Sequence, residues 1–302
     1  MIVPTLRQFT TFLAAVESGS VSAAARQNNL TQPAVSQQLR ELERALGVRL
    51  LDRARGRMVP TAAGEAVLSP MRRVQAALDD VIATAANFRS GDAGRVRLGT
   101  GATACIYLLP PVLARLRRSM PGLDLTIATG NTPEILRRIE AGELDIGLVT
   151  LPVTASSSIA ALRLLGDQLV ALVPEALAPD TATIEPAQLA RLPLVLYETG
   201  GTTRAIVDAW FRRAGSAPRP VMQLGSVEAT KAVVAGGLGA SVLPAIALPA
   251  PVAGTKVRRL SPPLARTLGQ VLRREKVIDR GLRAVIDALE MLRTREAADT
   301  GC

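Results

Sequence analysis

Gln32, Ser36, Gln37 and Arg40 recur at intervals that set them on one face of a helix. Amide, hydroxyl and guanidinium groups in that arrangement can hydrogen-bond base edges and phosphates in a DNA major groove. A few residues on, Arg53, Arg55 and Arg57 alternate, and on a β-ribbon this spacing is expected to aim three cations from one face at phosphate oxygens. A third pattern, Gly99, Gly101 and Ala104 after an apolar run, has the GxGxxA spacing of a dinucleotide-binding turn. That enzyme reading needs an acidic group at the end of the next strand, where the chain has Thr129-Gly130-Asn131, with Asp124 at the strand's start. The chain contains no histidine, which excludes Ser-His and Cys-His nucleophile activation and His-ligated zinc. No catalytic residue, metal site or cofactor is expected.

The candidate reading residues need two short helices. Ala23, Ala24 and Ala25 allow close packing, Asn28-Asn29 suits a left-handed helix end, and Leu30 fits a buried hinge. Thr31 is placed to cap the second helix, with Pro33 in its first turn, where a missing N–H is tolerated. Val35, Leu39, Leu42 and Leu46 then form the inward stripe, leaving Gln32, Ser36, Gln37 and Arg40 outward. An ordinary helical hairpin with a solvated polar face has the same pattern. The flanking segments favour helix-turn-helix, because the hairpin around 54–57 forms a basic wing beside the reading helix.

In this region the chain resembles the N-terminal domain of LysR-type transcriptional regulators. The resemblance rests on Leu6-Arg7-Gln8-Phe9 with Phe12, on Gly19-Ser20-Val21-Ser22-Ala23-Ala24-Ala25, and on Thr31-Gln32-Pro33-Ala34-Val35-Ser36. It continues through Leu42-Glu43 and Gly47-Val48-Arg49-Leu50-Leu51-Asp52-Arg53 to Thr61-Ala62-Ala63-Gly64. It implies a winged helix-turn-helix over residues 1–60 that binds double-stranded operator or promoter DNA through Thr31, Gln32, Pro33, Ser36, Gln37, Arg40, Arg53, Arg55 and Arg57.

At 302 residues the chain exceeds one typical core. Hydrophobic residues make up 48%, while aromatics at 2% leave the core to Ala, Val and Leu. The net charge of +10 points to an anionic partner, yet residues 1–60 hold only eight arginines against four acidic residues, so charge does not locate the DNA site. Two cysteines, Cys105 and Cys302, are too few for a disulfide scaffold. The start lacks a basic segment followed by an apolar one and no stretch of 18 apolar residues occurs, so a cytoplasmic protein without membrane contact is expected.

Residues 61–90 read as one long linker helix. Val67, Met71, Val74, Leu78, Val81, Ala85 and Phe88 repeat at alternating steps of four and three, a heptad seam expected to meet a second chain. Pro70 removes one helical hydrogen bond and should kink the helix near its start. After a small polar hinge at 90–94 the pattern turns α/β. Strands are expected at 96–99, 123–129, 145–149, 168–173, 194–197, 220–224, 239–243 and 267–273, with helices at 108–118, 133–141, 202–214, 228–235 and 279–296.

This half is similar to the same family's effector domain, which has two subdomains like a periplasmic binding protein. The residues carrying the similarity are Leu109-Pro110-Pro111-Val112-Leu113, Met120-Pro121-Gly122-Leu123, Gly142-Glu143-Leu144-Asp145-Ile146-Gly147-Leu148 and 235–244. It implies one subdomain from 91–161 with 265–302, a second from 162–264, and a ligand between them at strand ends and helix N-termini. Loops after the strands carry Gly101, Thr103, Thr150, Thr202 and Ser226. Alignment with the sulfur-assimilation branch matches Thr103, Thr150 and Thr202 to anion-holding threonines, whereas Gly101 and Ala104 replace polar ligands, which argues against sulfate itself. The expected effector is a small anion or small polar carboxylate held without a committed basic residue. A homodimer or homotetramer contacting RNA polymerase completes the implied regulator. A secreted solute-binding protein would share the α/β lobes but has no need of residues 1–60.

Overall fold

The computed structural model describes residues 3–54, 56–90, 94–153 and 158–299; within these, the side chains of 80, 83, 84, 86–90 and 294–299 lie outside the description. The chain separates into two compact units near residue 91. The first contains α1 (Leu6–Ser18), α2 (Val21–Gln27), α3 (Gln32–Leu46), β1 (Leu51–Ala54), β2 (Arg57–Pro60) and α4 (Ala62–Ser90).

Local sequence sets the ends of these helices. The Thr5 hydroxyl accepts from Gln8 N while the Gln8 side chain accepts from Thr5 N, a reciprocal cap on α1. Ser20 caps α2 and Thr31 caps α3, each accepting from the backbone N–H three residues on. Asn29 takes the left-handed conformation at φ 54°, closing the turn between the two helices as the Asn pair predicts. Phe12, Ala24, Val35, Leu39, Leu42 and Leu50 form the core. Leu46, predicted to belong to that stripe, is 39% exposed, in the last turn of α3 before its Gly47 cap. Gly64 is required by a close approach: a Cβ there would stand 2.1 Å from the Leu50 carbonyl oxygen, against which the first turn of α4 rests.

α4 is helical on both sides of Pro70, so the predicted kink does not interrupt it. The seam needs correcting at its start. Met71 is buried in the unit's own core and Val67 packs against that core, so these two positions are intrachain. Val74 and Val81 are 40% and 66% exposed, Ala85 is exposed and Leu78 is half-buried; the Phe88 side chain lies outside the described residues.

The second unit contains β3 (Arg95–Thr100), α5 (Ala102–Tyr107), α6 (Leu109–Ser119), β4 (Asp124–Thr129), α7 (Thr132–Glu140), β5 (Ile146–Leu151) and β6 (Ile159–Pro174). It continues with β7 (Thr183–Ile184), α8 (Pro186–Leu189), β8 (Val195–Tyr197), α9 (Thr202–Arg213), β9 (Met222–Leu224), α10 (Val227–Ala235), β10 (Ser241–Pro244), β11 (Thr255–Arg273) and α11 (Arg280–Asp299). The main sheet runs β10-β6-β11-β5-β3-β4, with β7 on β11; β8 and β9 pair separately and in parallel.

β6 and β11 are far longer than the runs expected at 168–173 and 267–273. They pair antiparallel over nearly their whole length and serve two cores in turn. Leu164, Leu165 and Leu268 pack with β3, α6 and α11, while Leu169, Ala171, Val173, Leu260 and Leu264 pack with α9 and β8. The face each strand buries changes between lobes, so no single alternation runs through them, and Pro262-Pro263 lies where the pairing register shifts. At the crossover between the cores, Asp167 and Arg266 are direct cross-strand partners.

Candidate functional site: a DNA-reading face and an effector cleft

On α3, Val35, Leu39 and Leu42 are buried, whereas Thr31, Gln32, Pro33, Gln37 and Arg40 are exposed and Ser36 is partly so. All six thus share the solvent side of a helix whose other side is fixed in the core. Gln37 Nε2 donates to Glu41 Oε1 at 2.9 Å, and Gln8 Nε2 donates to Glu41 Oε2 at 3.3 Å, so the amide is held in orientation but remains on the surface. Gln38, one position on, turns inward and accepts from the Thr11 hydroxyl. Glu43 Oε1 accepts from Leu50 N at 2.8 Å and Leu51 N at 3.2 Å, fastening the start of the wing to the reading helix.

The wing departs from expectation. In the β1-β2 register Arg53 faces Met58 and Ala54 faces Arg57, which puts Arg53 and Arg57 on opposite sides of the ribbon. Simple alternation holds along one strand; passing from β1 to β2 shifts its phase. Arg57 lies over Gly19, where an added Cβ would meet its Nε at 3.0 Å. Arg53 and Arg57 are both exposed, and Arg55 lies outside the described residues.

In the second unit a cavity of about 360 Å³ opens between the lobes, at the ends of β3, β5 and β8. The first lobe lines it with Gly101, Thr103, Asn131, Glu134 and Thr150; the second adds Tyr197, Glu198, Thr202 and Thr203. Thr103 and Thr150 are buried there, and Thr132 Oγ1 accepts from Thr150 N at 3.2 Å, fixing the loop. α9 follows Gly201, an N-cap with no side-chain acceptor, so the positive end of its dipole faces the cleft without a side-chain cap. Gly101, Thr103, Thr150 and Thr202 therefore gather as expected around one cleft. Ser226 does not line it: its hydroxyl caps α10 by accepting from Ala229 N at 3.4 Å. A hydroxyl at a helix start serves the helix before it serves a ligand.

The absence of a basic residue, inferred from the sequence, is also corrected. Arg266 is buried and lines the cleft; its Nε donates to Asp167 Oδ2 at 2.9 Å and its Nη1 to Thr203 Oγ1 at 3.2 Å. Nη2 stands 2.8 Å from Asp167 Oδ2, close enough for an ion pair but too poorly directed for a hydrogen bond. Burial raises the Asp167 carboxyl above its ordinary value, and Arg266 only partly offsets this. Burial likewise pushes the Tyr197 phenol up to about 12, with the Thr103 hydroxyl beside it offsetting this only in part. Arg204, also on the cleft wall, is tied to Asp208 and to the Tyr197 carbonyl. Tyr107 of α5, Glu228 and Lys231 of α10 form a polar contact between the lobes, with Lys231 Nζ 2.8 Å from Glu228 Oε2. Arg266 is one of four arginines in β11, and nothing in the sequence singles it out until Asp167 is placed opposite.

Residues 6–65 match the model of the bacterial regulatory helix-turn-helix protein, lysR family, and residues 89–293 match the LysR substrate binding domain. The regulator CbbR of Xanthobacter flavus is 35% identical over 95% of this chain and 87% of its own. Among solved structures, a full-length OxyR variant from Pseudomonas aeruginosa superposes with a TM-score of 0.73 at 23% identity, covering 96% of both chains. Full-length CbnR in complex with its target DNA superposes with a TM-score of 0.69 at 23% identity, covering 95% of this chain and 99% of that one. With a helix-turn-helix unit for DNA and a separate effector-binding domain, the chain belongs to the LysR family of transcriptional regulators.

Proposed function

We propose that α3 enters the major groove of operator DNA, with Gln32, Ser36, Gln37 and Arg40 meeting base edges and Thr31 and Pro33 docking the helix start. The observation that carries this is the one-sidedness of α3: its apolar stripe is buried while these polar groups stay exposed. Arg53 and Arg57 hold phosphates on either side of the wing ribbon, and Arg55, between them in sequence, also meets the DNA backbone. Val74, Leu78, Val81 and Ala85 meet a second copy of α4, giving a homodimer or a pair of dimers. A small anion or carboxylate binds in the cleft at Thr103, Thr150 and Thr202. It shifts the population of lobe arrangements about the Asp167–Arg266 crossing, and with it the spacing of the DNA half-sites. The protein works in the cytoplasm without catalysing a reaction and meets RNA polymerase at the promoter; no described helix is long and apolar enough to cross a membrane.

Selection of bound duplexes from a random pool tests this reading. The expected product is a sequence with two related half-sites centred about one helical turn, or a multiple of it, apart. A bound pool as random as the input would overturn it.

A further inference from the structure

The cleft carries negative charge that its threonines do not announce. Glu134 from the first lobe and Glu198 from the second both line it. Among the described residues neither carboxylate has an ion pair or a side-chain hydrogen bond. Each lies over a glycine: a Cβ on Gly130 would meet Glu134 Oε2 at 2.8 Å, and one on Gly225 would meet Glu198 Oε2 at 3.2 Å. The two cations in the lining are already engaged, Arg266 by Asp167 and Arg204 by Asp208. The anion-binding groups that remain are neutral: the start of α9, which has no side-chain cap, the threonine hydroxyls and the Tyr197 hydroxyl.

A dianion placed here would meet the half-buried Glu134 and the exposed Glu198, neither of them paired with a cation. A ligand with a cationic group would instead neutralise them, and a carboxylate on the same ligand would satisfy the start of α9. We propose that the effector is a small amino-acid-like zwitterion, its carboxylate at Thr202, Thr203 and Tyr197 and its ammonium turned toward Glu134 and Glu198. The cavity, about 360 Å³, lies toward the lower end of the roughly 300–1,000 Å³ usual for small-molecule sites. This assignment rests on the cleft being the effector site.

The test is calorimetry on the full chain with the twenty common L-amino acids, the carboxylates that lack their amino groups, and sulfate. At least one amino acid should bind tenfold or more tightly than its des-amino partner and than sulfate. Glu134→Gln and Glu198→Gln should each lower that affinity severalfold while leaving any binding of the des-amino acid in place. Thr202→Val should weaken both ligands. If des-amino acids or sulfate bind as well as the amino acids, if the glutamine variants change nothing, or if no amino acid binds, the zwitterion assignment fails. If a ligand binds but Thr202→Val and the glutamine variants all leave its affinity unchanged, the cleft itself is not the effector site.

Discussion

The exposed face of α3, proposed to read DNA, and the cleft between the lobes, proposed to hold the effector, are built on opposite plans. Every polar group on that face of α3 comes from one helix and its cap, and the packing of Val35, Leu39 and Leu42, with local hydrogen bonds from Thr11 and Leu50, sets its orientation. The cleft is assembled from loops of two lobes, closed by two strands whose key partners, Asp167 and Arg266, stand 99 residues apart. A surface made by one element can change its side chains without losing its frame. The cleft has its frame and its chemistry in the same residues, since Arg266 both ties the crossing strands and lines the cavity.

Breaking the crossing should therefore have the largest effect. Asp167→Asn leaves the buried Arg266 guanidinium without its counter-charge and should destabilise the second unit by about 3–5 kcal/mol, the usual cost of orphaning a buried charge. Urea unfolding followed by Trp210 fluorescence reports on that unit, because Trp210 lies in its second core. A change under 1 kcal/mol would mean the pair does not hold the lobes.

Gly64→Ala tests the frame of the first unit. The clash with Leu50 O must move α4 or the wing, at about 1–3 kcal/mol. Limited proteolysis of the first unit should accelerate accordingly, and unchanged resistance would contradict the close approach.

Val81→Asp separates assembly from folding, because Val81 is exposed within its own chain. The proposed seam predicts a halved mass by light scattering with an unchanged melting temperature. An unchanged mass would remove Val81 from any interface.

A smaller effect is expected at low pH. Burial works against the Asp145 charge, yet Arg97 and Lys276 outweigh it and hold the carboxyl below its ordinary value. A carboxyl with a lowered folded value stabilises above its unfolded value, and that stability is lost as pH falls through the folded one. The second unit should therefore weaken below about pH 4, the ordinary aspartate range, and Asp145→Asn should flatten that slope. An identical acid profile in the variant would exclude this ion-pair group as its source.

The contrast also explains what the sequence disclosed. Thr31 capping α3, the left-handed Asn29 and the buried stripe through Leu42 are decided within a few residues, so spacing and side-chain type were sufficient to place them. That Thr103, Thr150 and Thr202 line one cleft was legible because they end strands or begin helices and matched a related branch. Arg266, Glu134 and Glu198 were missed: their meaning depends on which segment folds against them. The opposite faces of Arg53 and Arg57 depend on turn length, a phase that alternation in the sequence does not carry. Met71 fitted a heptad seam and a domain core equally well, and only the packing of α4 beside α1 assigns it to the core.

Gln37→Ala separates sequence reading by the exposed face of α3 from backbone holding by the wing. Fluorescence titrations with the selected duplex and a scrambled one, each at two salt concentrations, compare this variant with Arg53→Ala. Gln37→Ala should lose about 1–3 kcal/mol on the selected duplex alone, with its salt slope unchanged. Arg53→Ala should weaken both duplexes alike and flatten the slope. Equal losses on both duplexes for Gln37→Ala would contradict the account.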